Sequence, residues 1–269
     1  MPQEVAPLVS SVNGLLTRLK DSIATQKRFL ADAAHQLKTP LAGLRMQADL
    51  AQREGANAEE LKQSLQQIGR ASIRATHTVN QLLALARAES SGAHFAAKPC
   101  DLVQLTMEVV QNSVPRALEK RIDLGYDGAQ PGAPGVVLQG NPTLLQELVR
   151  NLVDNAMNYT PSSAEHPGIV TARVLADPYG DVVLLQIEDS GPGIAESERE
   201  LVFQPFYRTL GTEADGTGLG LAIVQEIANL HGATITLDDT HPGQTPPGAR
   251  FTIRFSSDRS ARPSPPAAA

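Results

Sequence analysis

The sequence contains no tryptophan, few other aromatic residues and a single cysteine. Aromatic residues make up 4% of the 269 residues and hydrophobic residues 41%, so a core built from this chain must be mostly aliphatic, which suits a helix bundle. The lone Cys100 cannot form an internal disulfide or a multi-cysteine zinc site. Cysteine usage therefore gives no support to an oxidising compartment.

Long hydrophobic runs and an excess of positive charge are also missing. No run of about 18 apolar residues exists, and the N-terminus lacks the apolar centre of a signal peptide. The 23 Lys and Arg residues against 29 Asp and Glu residues give a net charge of −6, which argues against a general nucleic-acid-binding or polybasic membrane-surface protein. At about 100–200 residues per domain, the length allows about two domains.

The first third of the sequence has the spacing of long amphipathic helices. Apolar residues recur every three or four positions over residues 7–53 and again over residues 61–86, with a break that contains the candidate N-cap Asn57. The pattern predicts a long antiparallel helical hairpin that ends near residues 90–93. Because each apolar stripe is narrow, we expect two copies to pair as a dimeric four-helix bundle.

The sequence after Pro99 mixes helical and strand patterns. Helices are predicted at Leu102–Lys120 and Asn141–Tyr159, the second with Asn141 as its cap and Pro142 at its first position. Strands are predicted at Ile169–Leu175, Val182–Glu188, Ala233–Leu237 and Ala249–Phe255, the last three as neighbours in one mixed sheet. This irregular order predicts an α+β domain with its helices on one face of the sheet.

His35 lies inside the helical segment Phe29–Leu41, five residues before Pro40. Proline removes a backbone donor and clashes with the carbonyl of Gln36, so a bend just after His35 is predicted. A neutral imidazole can act as a nucleophile toward phosphorus. Taken alone, a histidine in such a helix is more often an ordinary surface residue.

Three asparagines, Asn151, Asn155 and Asn158, recur at helical spacing and therefore share one helix face. Asparagine is a poor residue for a helix interior, and amide oxygens can ligate a hard cation such as Mg²⁺ beside nucleotide phosphates. The alternative is a solvated helix face, and the spacing alone leaves both interpretations open.

An acidic-glycine motif follows one predicted strand at Ile187–Ile194. It places Asp189 at the edge of the sheet, while Gly191 and Gly193 allow the backbone to approach a flat ligand closely. The alternative is an ordinary Asp-Gly turn, which a motif of this size favours when it stands alone.

A second glycine motif precedes the predicted helix Leu221–Leu230. Its glycines at 216, 218 and 220 can direct backbone amides at an anion near the start of that helix. The segment Phe203–Arg208, between the two glycine motifs, fits either a mobile lid over a nucleotide or a long surface loop.

In this order and spacing the motifs resemble the boxes of bacterial two-component sensor histidine kinases, over Pro7–Phe255. The matches are His35 for the phospho-accepting histidine box, Asn151–Pro161 for the asparagine box, Asp189–Ile194 for the first glycine box, Phe203–Arg208 for the phenylalanine box and Gly216–Leu221 for the second glycine box. The resemblance implies the end of a HAMP signalling domain in residues 1–24, a dimerisation and histidine phosphotransfer hairpin in 25–92, a catalytic ATP-binding α/β sandwich in 99–256 and a disordered tail in 257–269.

The resemblance also implies a site for ATP and Mg²⁺. Asp189 is expected to recognise the adenine, and Asn155, helped by Asn151, to ligate Mg²⁺. The other nucleotide-binding residues that it implies are Asn158, Tyr159, Gly191, Gly193, Ile194, Arg208, Gly216, Thr217, Gly218, Leu219, Gly220 and Leu221. His35 is expected to take the γ-phosphoryl group, in cis or across the homodimer, and to pass it to an aspartate of a response regulator.

Two residues depart from the pattern of the family. Gln36 replaces the usual Glu or Asp after the histidine and cannot remove a proton. Asn158 replaces the usual basic residue before the tyrosine, which weakens one phosphate contact. Thr39 matches the position that orients water when such kinases dephosphorylate their regulator, so the resemblance implies a phosphatase activity as well.

Two rival functions fit parts of the pattern. ATP hydrolases of the same superfamily carry a Glu at the place of Asn151, and an amide cannot act as that base. A dimeric signalling scaffold that binds ATP without turnover is the second rival, and Gln36 and Asn158 leave room for it.

The resemblance further implies membrane-spanning segments upstream, so that this chain is expected to be the cytoplasmic portion of a bacterial inner-membrane protein.

Overall fold

The computed structural model divides the chain into two compact units, residues 1–82 and 83–269. It describes residues 14, 16, 20, 33–34, 38, 41–53, 57, 59–69, 71–72, 75, 79, 97–176, 182–208 and 217–256. His35, Pro40 and the predicted bend between them lie outside the described residues, as do nearly all of the segment 1–24 and the tail 257–269. Each unit is considered by itself.

In the first unit, helix α1 is described over residues 41–51 and helix α2 over residues 59–69. A reciprocal pair of hydrogen bonds marks the start of α2: the backbone N–H of Glu60 donates to Asn57 Oδ1 at 2.8 Å, and the N–H of Asn57 donates to Glu60 Oε2 at 3.1 Å. This capping box confirms Asn57 as the predicted cap.

The helices of the first unit leave part of their predicted apolar stripes uncovered. Leu41, Leu61 and Leu65 belong to those stripes and are 57%, 40% and 57% exposed within one chain. Apolar side chains repeated at helical spacing and left open in this way are typical of a surface that another helix covers.

The second unit mixes helices and strands, as predicted. Its elements are β1 Lys98–Asp101, α3 Leu102–Glu119, β2 Ile122–Tyr126, β3 Val137–Gly140, α4 Pro142–Tyr159, β4 Gly168–Ala176, β5 Val182–Asp189, 3-10 turns at Glu196–Glu198 and Leu201–Phe203, α5 Gly220–Leu230, β6 Thr234–Asp238 and β7 Arg250–Ser256. Every helix and strand predicted for this part of the chain is confirmed to within two residues. The three short strands β1, β2 and β3 were not predicted.

Five strands form one mixed sheet in the order β2-β4-β5-β7-β6, and β1 pairs with β3 in a separate two-stranded sheet. β2 runs parallel to β4, while the other neighbours in the large sheet are antiparallel. Buried side chains alternate along the strands, with Val170, Leu185 and Ile253 on the same covered face. α3, α4 and α5 pack against the sheet, which confirms an α+β fold with its helices on one face.

Helix α4 begins as its sequence predicts. Asn141 Oδ1 accepts hydrogen bonds from the backbone N–H groups of Thr143 at 3.0 Å and Leu144 at 3.3 Å, and Pro142 is the first helical residue.

A partly buried histidine connects the start of α4 to the end of α5. His231 Nε2 accepts a hydrogen bond from the backbone N–H of Asn141 at 3.1 Å, so the neutral ring carries its proton on Nδ1, 2.7 Å from the carbonyl oxygen of Ile227. Burial lowers the pKa of His231, against the opposing effect of the Ile227 hydrogen bond. The neutral imidazole therefore fixes the spacing of the two helices that flank the candidate site.

Candidate functional site

Strand β5 ends at Asp189, a carboxylate that is only 6% exposed. Its Oδ1 accepts two hydrogen bonds, from the backbone N–H of Gly191 at 2.8 Å and from that of Ala249 at 3.1 Å. Burial raises the pKa of Asp189 to about 6, although both hydrogen bonds act in the opposite direction. Because Oδ1 is occupied, Oδ2 is the oxygen left to accept a hydrogen bond from a ligand.

The turn after Asp189 is built from glycines for steric reasons. A Cβ at Gly191 would lie 2.8 Å from the carbonyl oxygen of Tyr159, and one at Gly193 would lie 2.7 Å from Pro247 Cγ. The N–H of Gly248 donates to the carbonyl of Gly191 at 3.0 Å. These contacts join the end of α4, the Asp189 turn and the loop between β6 and β7 into one wall of the site.

Gly248 and Gly243, which lie in the same loop, offer a matched test of this packing. Both have a positive φ, 68° and 81°, but a Cβ at Gly248 would overlap the carbonyl oxygen of Asp189, while nothing lies within 4 Å of one at Gly243. Gly243→Ala should cost roughly 1–2 kcal/mol of unfolding free energy from backbone strain alone. Gly248→Ala should cost at least about 2 kcal/mol more because its neighbours must move. Equal urea unfolding midpoints for the two variants would contradict the close packing.

The carboxamide of Asn151 is buried between α4 and the start of α5. Its Nδ2 donates to the carbonyl oxygen of Glu147 at 2.9 Å and to Glu147 Oε1 at 3.2 Å. A Cβ at Gly220 would lie 3.2 Å from Asn151 Oδ1, so this oxygen faces the first residue of α5. The structure thus brings the asparagine motif and the second glycine motif together.

The other two asparagines of α4 have different surroundings. Asn155 is partly exposed, and its side chain makes no hydrogen bond with another described residue. Asn158 Oδ1 accepts from Nη2 of Arg116, on α3, and from Nζ of Lys120, the residue just after α3, both at 2.8 Å. Arg116 also forms an ion pair with Asp154 at 2.6 Å. Two positively charged side chains therefore lie beside Asn158, on the helix face that carries the three asparagines.

The second glycine motif packs against Phe206, which belongs to the segment Phe203–Arg208. The N–H of Phe206 donates to the carbonyl oxygen of Gly218 at 2.8 Å, and a Cβ at Gly218 would lie 2.7 Å from the carbonyl carbon of Phe206. Gly218 has φ 71° and Phe206 has φ 66°, so both residues adopt the left-handed conformation. Leu219 then leads into α5 without a side-chain cap, which leaves N–H groups of the first turn able to bind an anion.

The polar groups near this helix start are amide oxygens, which can ligate a cation, and backbone N–H groups, which can donate to an anion. Among the described residues, no cluster of three or more His, Cys, Asp or Glu side chains could hold a metal ion by itself. The oxygens of Asn151 and Asn155 fit a hard cation that takes its other ligands from phosphates and water.

In the part of the chain that the structure describes, no helix has the length and apolarity needed to cross a membrane.

Comparison with known proteins identifies the family. Residues 25–91 match the family described as "His Kinase A (phospho-acceptor) domain", and residues 140–259 match "Histidine kinase-, DNA gyrase B-, and HSP90-like ATPase". Sensor protein QseC from Salmonella typhi is 35% identical, over 90% of this chain and 51% of its own length. MprB from Mycobacterium sp. (strain KMS), a signal transduction histidine-protein kinase/phosphatase, is 36% identical, over 93% of this chain and 47% of its own length. The chain belongs to the bacterial two-component sensor histidine kinases.

The crystal structure of full-length ShkA in complex with AMPPNP matches 86% of this chain and 46% of its own chain at 26% identity, with a TM-score of 0.60. The predicted fold class, a helical phospho-acceptor region followed by an α+β ATP-binding domain, is confirmed. The chain spans about half the length of the curated relatives that it matches.

The structure also describes several other residues predicted for the nucleotide site. Leu219 and Leu221 are buried at the start of α5, and Arg208 is exposed. The carbonyl oxygen of Ile194 accepts from Arg199 Nε at 3.2 Å, and Thr217 Oγ1 accepts from the N–H of Leu219 at 3.3 Å. The predicted site residues His35, Gln36, Thr39 and Gly216 lie outside the described residues.

Several contacts of the site had no signal in the sequence motifs. Ala249 holds Asp189 from 60 residues away, and Arg116 and Lys120 reach Asn158 from another helix. Glu147 lies one helical turn before Asn151 in α4. The helical spacing of these two residues could have indicated their contact.

Proposed function

We propose that this kinase transfers the γ-phosphoryl group of ATP to His35 and then to an aspartate of a response regulator. The buried Asp189, with Oδ1 held by two backbone N–H groups, carries the proposal. A carboxylate fixed in this way suits the exocyclic amine of adenine, because Oδ2 can accept a strong, charge-assisted hydrogen bond.

The rest of the site suits a triphosphate. The uncapped start of α5 and the amides near Gly218 would hold phosphate oxygens, while the oxygens of Asn155 and Asn151 would hold Mg²⁺. When bound, Mg²⁺ offsets the negative charge of the phosphates. Arg116 and Lys120 add positive charge beside the asparagine face.

In the proposed reaction, a neutral ring nitrogen of His35 attacks the γ-phosphorus. The new N–P bond forms as the bond to the β–γ bridging oxygen breaks, and ADP leaves with that electron pair. Gln36 can accept a hydrogen bond from the imidazole but cannot take its proton. Catalysis therefore depends on positioning and on the charges around the triphosphate.

The proposed partners are a second copy of this chain and a response regulator. Leu41, Leu61 and Leu65, exposed on the hairpin of one chain, support pairing of two hairpins into a four-helix bundle. Because MprB is named a kinase and phosphatase, we extend the proposal to dephosphorylation of the regulator with Thr39 orienting water. The location as the cytoplasmic portion of an inner-membrane protein stays a prediction.

Incubation with Mg²⁺ and ATP that carries a radioactive γ-phosphate tests the proposal. The purified chain should become labelled on a phosphoramidate that is stable to base and labile to acid. Release of free phosphate without labelled protein would instead indicate an ATP hydrolase, which the amide of Asn151 disfavours because it cannot take a proton from water. ATP binding without either product would indicate a signalling scaffold.

A further inference from the structure

The orientation of the Asn151 carboxamide is set by Glu147, one helical turn earlier. Two atoms of Glu147, its carbonyl oxygen and Oε1, contact Asn151 Nδ2, and both are acceptors at pH 7. The atom facing them must therefore be the amide nitrogen. The amide oxygen is directed to the opposite side, toward Gly220 and the start of α5.

This orientation decides whether Asn151 can ligate a cation. An amide oxygen is a ligand for Mg²⁺, whereas an amide NH₂ group is a donor that a cation repels. A flipped Asn151 would place its NH₂ group beside Gly220, where phosphate oxygens and the metal are proposed to lie. The contact with the Glu147 carboxylate thus favours the orientation in which Asn151 presents an oxygen, and not an NH₂ group, to the metal.

The two oxygens of the Glu147 carboxylate have separate contacts. Oε2 lies 3.3 Å from Arg150 Nη1, in an ion pair with half of the arginine side chain exposed, while Oε1 faces Asn151. The other acceptor, the carbonyl oxygen of Glu147, is also the normal helical partner of the backbone N–H of Asn151. Oε1 is therefore the acceptor that is not shared with the helix.

We propose that Glu147 is a positioning residue that keeps the carbonyl oxygen of Asn151 pointed at the Mg²⁺–triphosphate complex. This inference rests on the proposed function. Glu147 itself does not need to touch the metal or the nucleotide, because it acts through the amide of Asn151.

The test compares nucleotide binding with and without Mg²⁺. A fluorescent ATP analogue is titrated into the purified chain in excess Mg²⁺ and again in EDTA. Glu147→Met removes Oε1 and should weaken analogue binding in Mg²⁺ by roughly tenfold while leaving binding in EDTA unchanged. Glu147→Gln retains an oxygen that can accept from Nδ2 and should stay within about twofold of the wild type.

Arg150→Gln is the matched control, because it breaks the exposed ion pair and leaves both acceptors of Asn151 in place. It should bind the analogue as the wild type does. Equal weakening of Glu147→Met in Mg²⁺ and in EDTA would overturn the inference, since a general structural defect has no metal dependence. Wild-type affinity of Glu147→Met in Mg²⁺ would overturn it as well. If the wild type itself gained no affinity from Mg²⁺, the proposed metal site would fail, and this inference with it.

Discussion

His35→Gln should abolish phosphorylation of the chain while ATP still binds. Glutamine is similar in size to histidine and forms helices well, so the replacement preserves the hairpin. Its amide nitrogen, however, has no available lone pair and cannot attack the γ-phosphorus. We expect labelled protein to fall by at least about a thousandfold, to the background of the assay, as is usual when the only nucleophile is lost.

The measurement pairs the labelling assay with a nucleotide titration of the same preparation. His77→Gln is the control, because it removes another histidine from the predicted hairpin without touching the histidine box. It should label at the wild-type level. Persistent acid-labile label in His35→Gln would show that another residue accepts the phosphoryl group, even if ATP binding and the fold were intact.

Local patterns were sufficient to predict most of the second unit. The cap and proline at Asn141 and Pro142 place the start of α4 correctly, and alternation of buried residues identifies β4, β5 and β7. Two of the three strands that were not predicted, β1 and β3, have four residues each and pair with one another across an intervening helix. Strands this short carry too few alternations to be recognised from sequence.

The site shows the same division between local and long-range information. The motif of Asp189 and its glycines is local and was found, but the N–H of Ala249 that holds the carboxylate comes from the far side of the unit. The shared face of the three asparagines was also predicted from their spacing. Their different partners were not: Glu147 lies on the same helix as Asn151, whereas the two cations at the end of α3 reach Asn158 only because the helices pack together.

Asp189→Asn should weaken ATP binding by roughly a hundredfold. The amide can keep its oxygen on the N–H groups of Gly191 and Ala249, which places its NH₂ group where Oδ2 was. Two donors, this NH₂ group and the exocyclic amine of adenine, would then face each other. Loss of a charge-assisted hydrogen bond costs up to about 3 kcal/mol, which corresponds to roughly a hundredfold in affinity. Isothermal titration with ATP measures the change, and an unchanged affinity would contradict the proposed role in adenine recognition.

The same substitution should stabilise the nucleotide-free fold at neutral pH. The pKa of Asp189 is raised from 3.8 to about 6, so between these values the folded chain holds a proton that the unfolded chain has lost. The contribution of Asp189 to stability therefore falls as pH rises through this window, and above it the fold carries a cost on the order of 3 kcal/mol for the ionised carboxylate. Asp189→Asn removes that cost.

Urea unfolding at pH 5 and pH 7.5, without nucleotide, measures this effect. The gain in unfolding free energy from Asp189→Asn should be larger at pH 7.5 than at pH 5, whereas Asp238→Asn, at an exposed position of β6, should change neither stability nor ATP affinity. In the wild type, ATP affinity should fall as the pH drops below about 6, because a protonated Asp189 loses its charge as an acceptor. A destabilised Asp189→Asn variant at pH 7.5 would show that the carboxylate supports the fold. A stabilised variant that has lost ATP binding would show that the buried charge of Asp189 destabilises the fold but is needed to bind ATP.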